Sequence, residues 1–147
     1  MKIITLQTDL WVPRPIAEVF EFFSDARNLE QITPPWLNFR ILAPASIEMR
    51  AGARIAYQLR IRGVPIRWES EITAWEPPDR FVDEQRRGPY RKWIHEHLFV
   101  SENDGTTIVD NVRYSVPGGA LVNHLFVAPD VRKIFEYRKR VLLERFG

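Results

Sequence analysis

Between residues 54 and 116 one pattern repeats: apolar and polar residues alternate, a turn signal interrupts them, and the alternation resumes. Ile55, Tyr57, Leu59 and Ile61 alternate with Ala56, Gln58, Arg60 and Arg62. Beyond Arg62-Gly63-Val64-Pro65 the inward set is Ile66, Trp68, Ser70, Ile72 and Ala74, against Arg67, Glu69, Glu71 and Thr73. Glu76-Pro77-Pro78-Asp79, Gly88-Pro89, Asn103-Asp104-Gly105 and Pro117-Gly118-Gly119 punctuate the rest of the run, so strands are expected over Phe81–Arg87, Tyr90–Val100 and the segment ending at Val116. A period of two gives each strand one wet face and one face that must be covered, the mark of an antiparallel sheet.

Little else in the chain can supply the cover. Residues 2–12 alternate and predict one more strand, which Pro13-Arg14-Pro15 stops. Pro15 suits the first position of a short helix carrying Ile16, Val19, Phe20 and Phe23 on one side. Ser24 or Asp25 can cap a second short helix with Leu29 and Ile32 buried, ended by Thr33-Pro34-Pro35. Trp36 and Leu37 then form an apolar pair suited to a rim or lid, before a brief strand near Phe39–Leu42 and a loop through Pro44. Only the tail, Ala120 to Phe146, is long enough to cross a sheet; Leu121, Leu125, Ile134, Phe135, Val141 and Leu142 make its stripe, and Pro129 should kink or split it. The expected architecture is α+β: a curved antiparallel sheet of about seven strands wrapped around one long C-terminal helix, with two short helices after the first strand. One helix cannot fill a strongly curved sheet whose inward residues are bulky and partly polar, so an interior cavity is expected.

The strand after Gly88-Pro89 carries the most unusual face. Trp93, His95, His97 and Phe99 fall on alternate residues and share it. If Asn103-Asp104 is a two-residue hairpin loop, His97 lies opposite Asp110, His95 opposite Val112 and Trp93 opposite Tyr114; a three-residue loop with a bulge would put Asn111 opposite His97 instead. The apolar phasing of Ile108, Val112, Tyr114 and Val116 favours the first solution. An aspartate beside a buried imidazole fixes its tautomer and favours its charged form, so His97, Asp110 and His95 are candidates for general acid/base catalysis; the same groups can equally anchor a ligand or simply satisfy one another. Two histidines and an aspartate also suit iron or zinc, but nothing else marks a metal site and none is expected. Asp83 and Gln85, on the face of Phe81, are further polar candidates whose plainer reading is exposure. Arg138 lies one turn after Ile134 on the helix stripe, where an arginine commonly extends to solvent.

At 147 residues the chain is expected to be one domain, 1–147. It has no cysteine, which excludes disulfides, thiolate metal sites and a cysteine nucleophile and leans towards a cytoplasmic location. The opening residues lack a long apolar run and Asp9 interrupts them, so neither a secretion signal nor a membrane span is expected. A net charge of +2, with acidic and basic residues interleaved, does not argue for nucleic acid; the Arg138–Arg140 cluster reads as a solvated helix face. No nucleotide-binding glycine loop or serine-hydrolase motif occurs.

Four stretches together resemble the START-related helix-grip superfamily, also called SRPBCC, which includes polyketide cyclase/dehydrases and pollen-allergen-like carriers. They are VPRPIAEVFEFFSDARNL from Val12, FVDEQRRGPYRKWIHEHLF from Phe81, DNVRYSVPGG from Asp110 and IFEYRKRVLLERF from Ile134. The whole chain looks most like the bacterial ligand-binding SRPBCC domain proteins. The resemblance implies a deep hydrophobic cavity between sheet and terminal helix, rimmed by Thr33–Leu37, by strand-connecting loops and by the helix start near Gly118–Leu125. The expected lining is then Trp36, Tyr57, Trp68, Phe81, Asp83, Gln85, Trp93, His95, His97, Tyr114, Leu121, Leu125 and Arg138. The expected role is binding of a small hydrophobic or aromatic molecule, lipid- or polyketide-like, without a cofactor; the alternative is a cyclase/dehydratase-type enzyme that uses the His-Asp pair.

Overall fold

The computed structural model describes residues 2–42 and 48–147; the loop expected through Pro44 lies outside them. Seven strands form one antiparallel sheet: β1 (Ile4–Val12), β2 (Arg40–Ile41), β3 (Arg54–Ile61), β4 (Val64–Glu76), β5 (Arg80–Arg87), β6 (Lys92–Glu102) and β7 (Gly105–Ser115). Their order is β1-β7-β6-β5-β4-β3-β2, so a meander runs from β2 to β7 and the first strand closes beside the last.

The turns set the register. Ile61 pairs with Val64, leaving Arg62 and Gly63 as a two-residue loop with φ of 51° and 81°. Glu102 likewise pairs with Gly105, and Asn103 and Asp104 sit at 52° and 60°. Two consecutive positive φ angles are what the tight primed hairpin requires. The two-residue solution therefore holds: His97 pairs with Asp110, His95 with Val112 and Trp93 with Tyr114. On β4 the register shifts between Ile72 and Ala74, and beyond that bulge Trp75, opposite Phe81, packs into the core where Ala74 was expected.

Helix α1 (Ile16–Phe23) follows Pro15, which caps it from one position before the expected one. It buries Val19, Phe20, Phe22 and Phe23. The Asp25 side chain accepts from the Arg27 backbone N–H at 3.0 Å and caps the 3₁₀ helix Ala26–Glu30. Phe20, Phe23, Phe81 and Phe99 meet in a ring cluster with centroids 5.2–6.1 Å apart, tied to Ile55, Ile72, Leu142 and Phe146.

The tail is helical from residue 119 to 146, but not uniformly. Helix α2 (Gly119–Val122) passes through a wide π-type turn, Asn123–Val127, into α3 (Ala128–Phe146). Pro129 has no N–H to return to the carbonyl of Leu125, and the widened turn lies just before it. Along α3 the buried residues are Val131, Phe135, Arg138, Leu142 and Phe146, a stripe of three- and four-residue steps that faces the sheet. Among the described residues no helix is long and apolar enough to cross a membrane.

Candidate functional site: a cavity with one polar wall

Between the sheet and α3 lies a cavity of about 180 Å³. Ile55, Tyr57, Leu59 and Ile61 of β3 line it with Trp68, Ser70 and Ile72 of β4, Phe81 and Asp83 of β5, and Trp93, His95 and His97 of β6. Val131, Ile134, Phe135 and Arg138 of α3 close it, and Phe23, Leu29, Thr33, Leu37 and Tyr90 are among the residues that add to the wall. A second, outer groove contains Trp36, Gly63, Pro89, Pro117 and Val122; Leu37, Ile61, Tyr90 and Ile134 line both spaces and so form the partition between them.

Strand alternation delivers the rings and carboxylates to one side. The imidazoles of His95 and His97 stack at 3.7 Å, and Phe81, the cross-strand partner of His97, stacks on it at 4.0 Å. Each carboxylate then passes over the imidazole directly opposite and takes the one two residues away. Asp83 pairs with His95 in register but bonds His97 Nε2 at 2.7 Å. Asp110 pairs with His97 but bonds His95 Nε2 at 2.7 Å, leaving His97 Nδ1 3.6 Å away. The expected His97–Asp110 dyad is therefore replaced by two diagonal pairs, because the stacked rings project along the strand towards the neighbouring positions.

Arg138 completes the cluster. It is 8% exposed and does not extend to solvent; Nη2 donates to Asp110 Oδ1 at 3.2 Å and approaches His97 Nδ1 at 3.4 Å. Its Cζ sits over the rings of Phe23 at 5.3 Å and Phe135 at 5.9 Å. Arginine has only donors, so this approach leaves the lone pair on His97 Nδ1 and the proton on Nε2, which donates to Asp83. The Arg138 Nε–H is buried without an acceptor, a deficit of about 1–3 kcal/mol for a group of this kind.

The electrostatics separate two chemically identical side chains. Burial alone would raise Asp110, but Arg138 and then His95 outweigh it and hold its carboxyl well below the usual carboxylate range. Burial pushes Asp83 up, and the neighbouring His95 and Arg138 only partly offset it. Burial, then His95 and Arg138, hold His97 well below the ordinary imidazole value against the pull of Asp110, so it is neutral at pH 7. The Tyr57 phenol, raised by burial and by Asp83, stays protonated and meets Ser70 Oγ at 3.2 Å; Trp68 Nε1 donates to the same oxygen at 3.0 Å.

Of the residues expected around a ligand, Tyr57, Trp68, Phe81, Asp83, Trp93, His95, His97 and Arg138 line the cavity. Five do not. Trp36, 57% exposed, packs edge-on against Tyr137 and faces the outer groove while its neighbour Leu37 turns inward, since adjacent side chains diverge in a 3₁₀ turn. Gln85 spends its carboxamide on the backbone of Tyr90, donating to the carbonyl at 2.7 Å and accepting from the N–H at 3.1 Å. Tyr114 is buried behind Trp93 and Tyr90 and donates to Asn123 Oδ1 at 2.8 Å. Leu121 and Leu125 are 69% and 53% exposed. The expected break at Pro129 takes the form of a π-type turn, whose extra residue rotates their face by about 100° from that of Ile134 and Phe135. Tyr90 lines the cavity unforeseen; alternation over the expected strand Tyr90–Val100 put it on the face of Lys92 and Ile94, but β6 begins only at Lys92 and leaves Tyr90 in the turn.

Donor atoms of Asp83, His95 and His97 lie within 4.8 Å of one another, the spacing a metal ion could use. Two features oppose one. Rings stacked nearly parallel, 21° apart, cannot converge their lone pairs on a single point, and the Arg138 guanidinium already brings positive charge against His97.

A curved antiparallel sheet closed over a cavity by a long C-terminal helix defines a helix-grip protein of the Bet v 1/START-like kind. The chain belongs to the family described as polyketide cyclase / dehydrase and lipid transport, whose profile matches residues 12–146. Solved structures share the fold at low identity. Protein CV1439 from Chromobacterium violaceum superposes with a TM-score of 0.75 at 14% identity, covering 97% of each chain. Ginseng major latex-like protein 151 from Panax ginseng gives 0.72 at 12%, covering 99% of this chain and 98% of that one. TTHA0849 from Thermus thermophilus gives 0.67 at 20%, covering 97% of each. No curated protein matches the chain in sequence.

Proposed function

We propose that this protein holds a small hydrophobic or aromatic molecule in the space between its sheet and α3. The observation that carries the reading is the cavity itself: about 180 Å³, walled by Tyr57, Trp68, Phe81, Tyr90, Trp93 and Phe135, with hydrogen-bonding groups gathered on one side. A dry cavity of about 150 Å³ accommodates a benzene ring, so this one suits a body of one or two fused rings or a short branched chain. Aromatic walls supply the affinity, and the polar side sets orientation. The cysteine-free composition fits a cytoplasmic setting. Native mass spectrometry of the freshly purified protein tests the reading. A co-purified or added small aromatic molecule at one per chain is expected; a protein that takes up none of a broad aromatic set has no such role.

One observation favours a second reading, a cyclase/dehydratase-type enzyme. His95 donates Nε2–H to an ionised, buried aspartate, the arrangement that orients an imidazole as a general base, and among the described residues its Nδ1 makes no hydrogen bond. His97 suits that task less, since Asp83 and Arg138 occupy both its nitrogens. His95→Gln separates the readings: a carrier keeps its ligand unaltered with a modest change in affinity, whereas an enzyme loses turnover and keeps binding.

A further inference from the structure

Arg138 brings a full charge into a wall that is otherwise apolar and leaves part of its hydrogen-bonding edge unused. Nη2 is shared between Asp110 and His97. Nε is buried with no acceptor, and among the described residues Nη1 makes no hydrogen bond. Phe23 and Phe135 cover the faces of the guanidinium, so what remains open to an occupant of the cavity is its Nη1 end. Neither carboxylate of the cluster meets it: Asp110 Oδ1 takes His95 and Arg138 Nη2, its Oδ2 takes the Thr8 hydroxyl, and Asp83 bonds His97.

We propose that the Nη1 end of Arg138 is a subsite for an anionic oxygen, a carboxylate or phenolate, carried on the aromatic body that fills the cavity. The inference rests on the ligand-binding reading above and narrows it from any small hydrophobe to an aromatic acid or acidic phenol. The Nη1 amino group, without a partner among the described residues, offers a charge-assisted N–H donor inside a low-dielectric enclosure, where such bonds are strongest.

The test compares two probes with one body: 2-naphthoate and 2-naphthalenemethanol, followed by quenching of Trp68 and Trp93. An apolar cavity with no cation favours the alcohol, because the carboxylate loses far more hydration on entry. The wild-type protein is expected to bind naphthoate tighter than the alcohol by about tenfold or more. In Arg138→Gln that preference should reverse, and Arg138→Lys, which retains the charge, should keep part of it. Equal binding of the two probes by the wild-type protein, or a preference for the alcohol, overturns the oxyanion subsite and leaves the cavity reading standing. Naphthoate preference that survives in Arg138→Gln overturns the assignment to Arg138. Binding of neither probe removes both readings together. The wild-type comparison needs no variant, so it decides the matter even if Arg138→Gln fails to fold.

Discussion

Asp83 and Asp110 flank the same pair of imidazoles, yet the protein moves them in opposite directions, up and down respectively. The difference is Arg138, whose guanidinium lies against Asp110 and not against Asp83. Removing Asp110 therefore strands a buried cation: Asp110→Ala should cost about 3–5 kcal/mol in urea unfolding, and pairing it with Arg138→Met should recover much of that loss. A single-variant cost near zero would show that the pair is not holding charge in the interior. His97 gives a pH signature. Its folded value lies below the ordinary imidazole pKa, so below about pH 6.5 the unfolded chain binds a proton that the folded one refuses, and stability falls as pH drops, by up to about 1.4 kcal/mol per pH unit. Asp83, raised in the fold, acts with the opposite sign, but nearer the carboxylate range. Thermal melts just below pH 6.5 should thus decline with acid in the wild-type protein and flatten in His97→Gln; an unchanged slope would place the titration elsewhere. The residue types at this site were legible from alternation alone. Their pairing was not, because direct opposition in a ladder says nothing about where a ring's nitrogens point.

At the scale of elements, turns and one helix irregularity decide what reaches the cavity. The register that aligns β6 on β7 was only favoured, by apolar phasing, until the structure decided it against a bulged three-residue loop, whereas the hairpin turns at Arg62-Gly63 and Asn103-Asp104 were readable from composition. The bulge on β4 and the wide turn before Pro129 were not, and each rotated side chains: Trp75 inward, Leu121 and Leu125 outward. A single irregular residue shifts every later position, and no local preference announces it. Gln85 is the corresponding case in the β5–β6 connection, where its amide clamps the backbone of Tyr90. Gln85→Ala should lower stability by about 1–2 kcal/mol and speed amide exchange at Tyr90, loosening one side of the partition. Unaltered exchange at that amide would mean that the turn is held by other contacts.

For the molecule as a whole, the governing fact is that one helix covers a sheet too curved for it to fill. Ile134 stands in the partition between the inner cavity and the outer groove. Ile134→Phe should take up part of the void, so binding of an aromatic probe weakens about tenfold or more while the melting temperature holds or rises; loss of stability would mean that this space is already closely packed. The chain by itself determined the α+β architecture, the antiparallel sheet, the covering helix and the aromatic, imidazole-bearing inner face. All of these follow from period, turn chemistry and length, which act over a few residues at a time. Tertiary structure alone decided which carboxylate holds which imidazole, that Arg138 turns inward to them, and which end of the long helix meets the cavity. Those outcomes depend on how a bulge and a wide turn bring distant strands and α3 together, and on burying charges only where a partner waits.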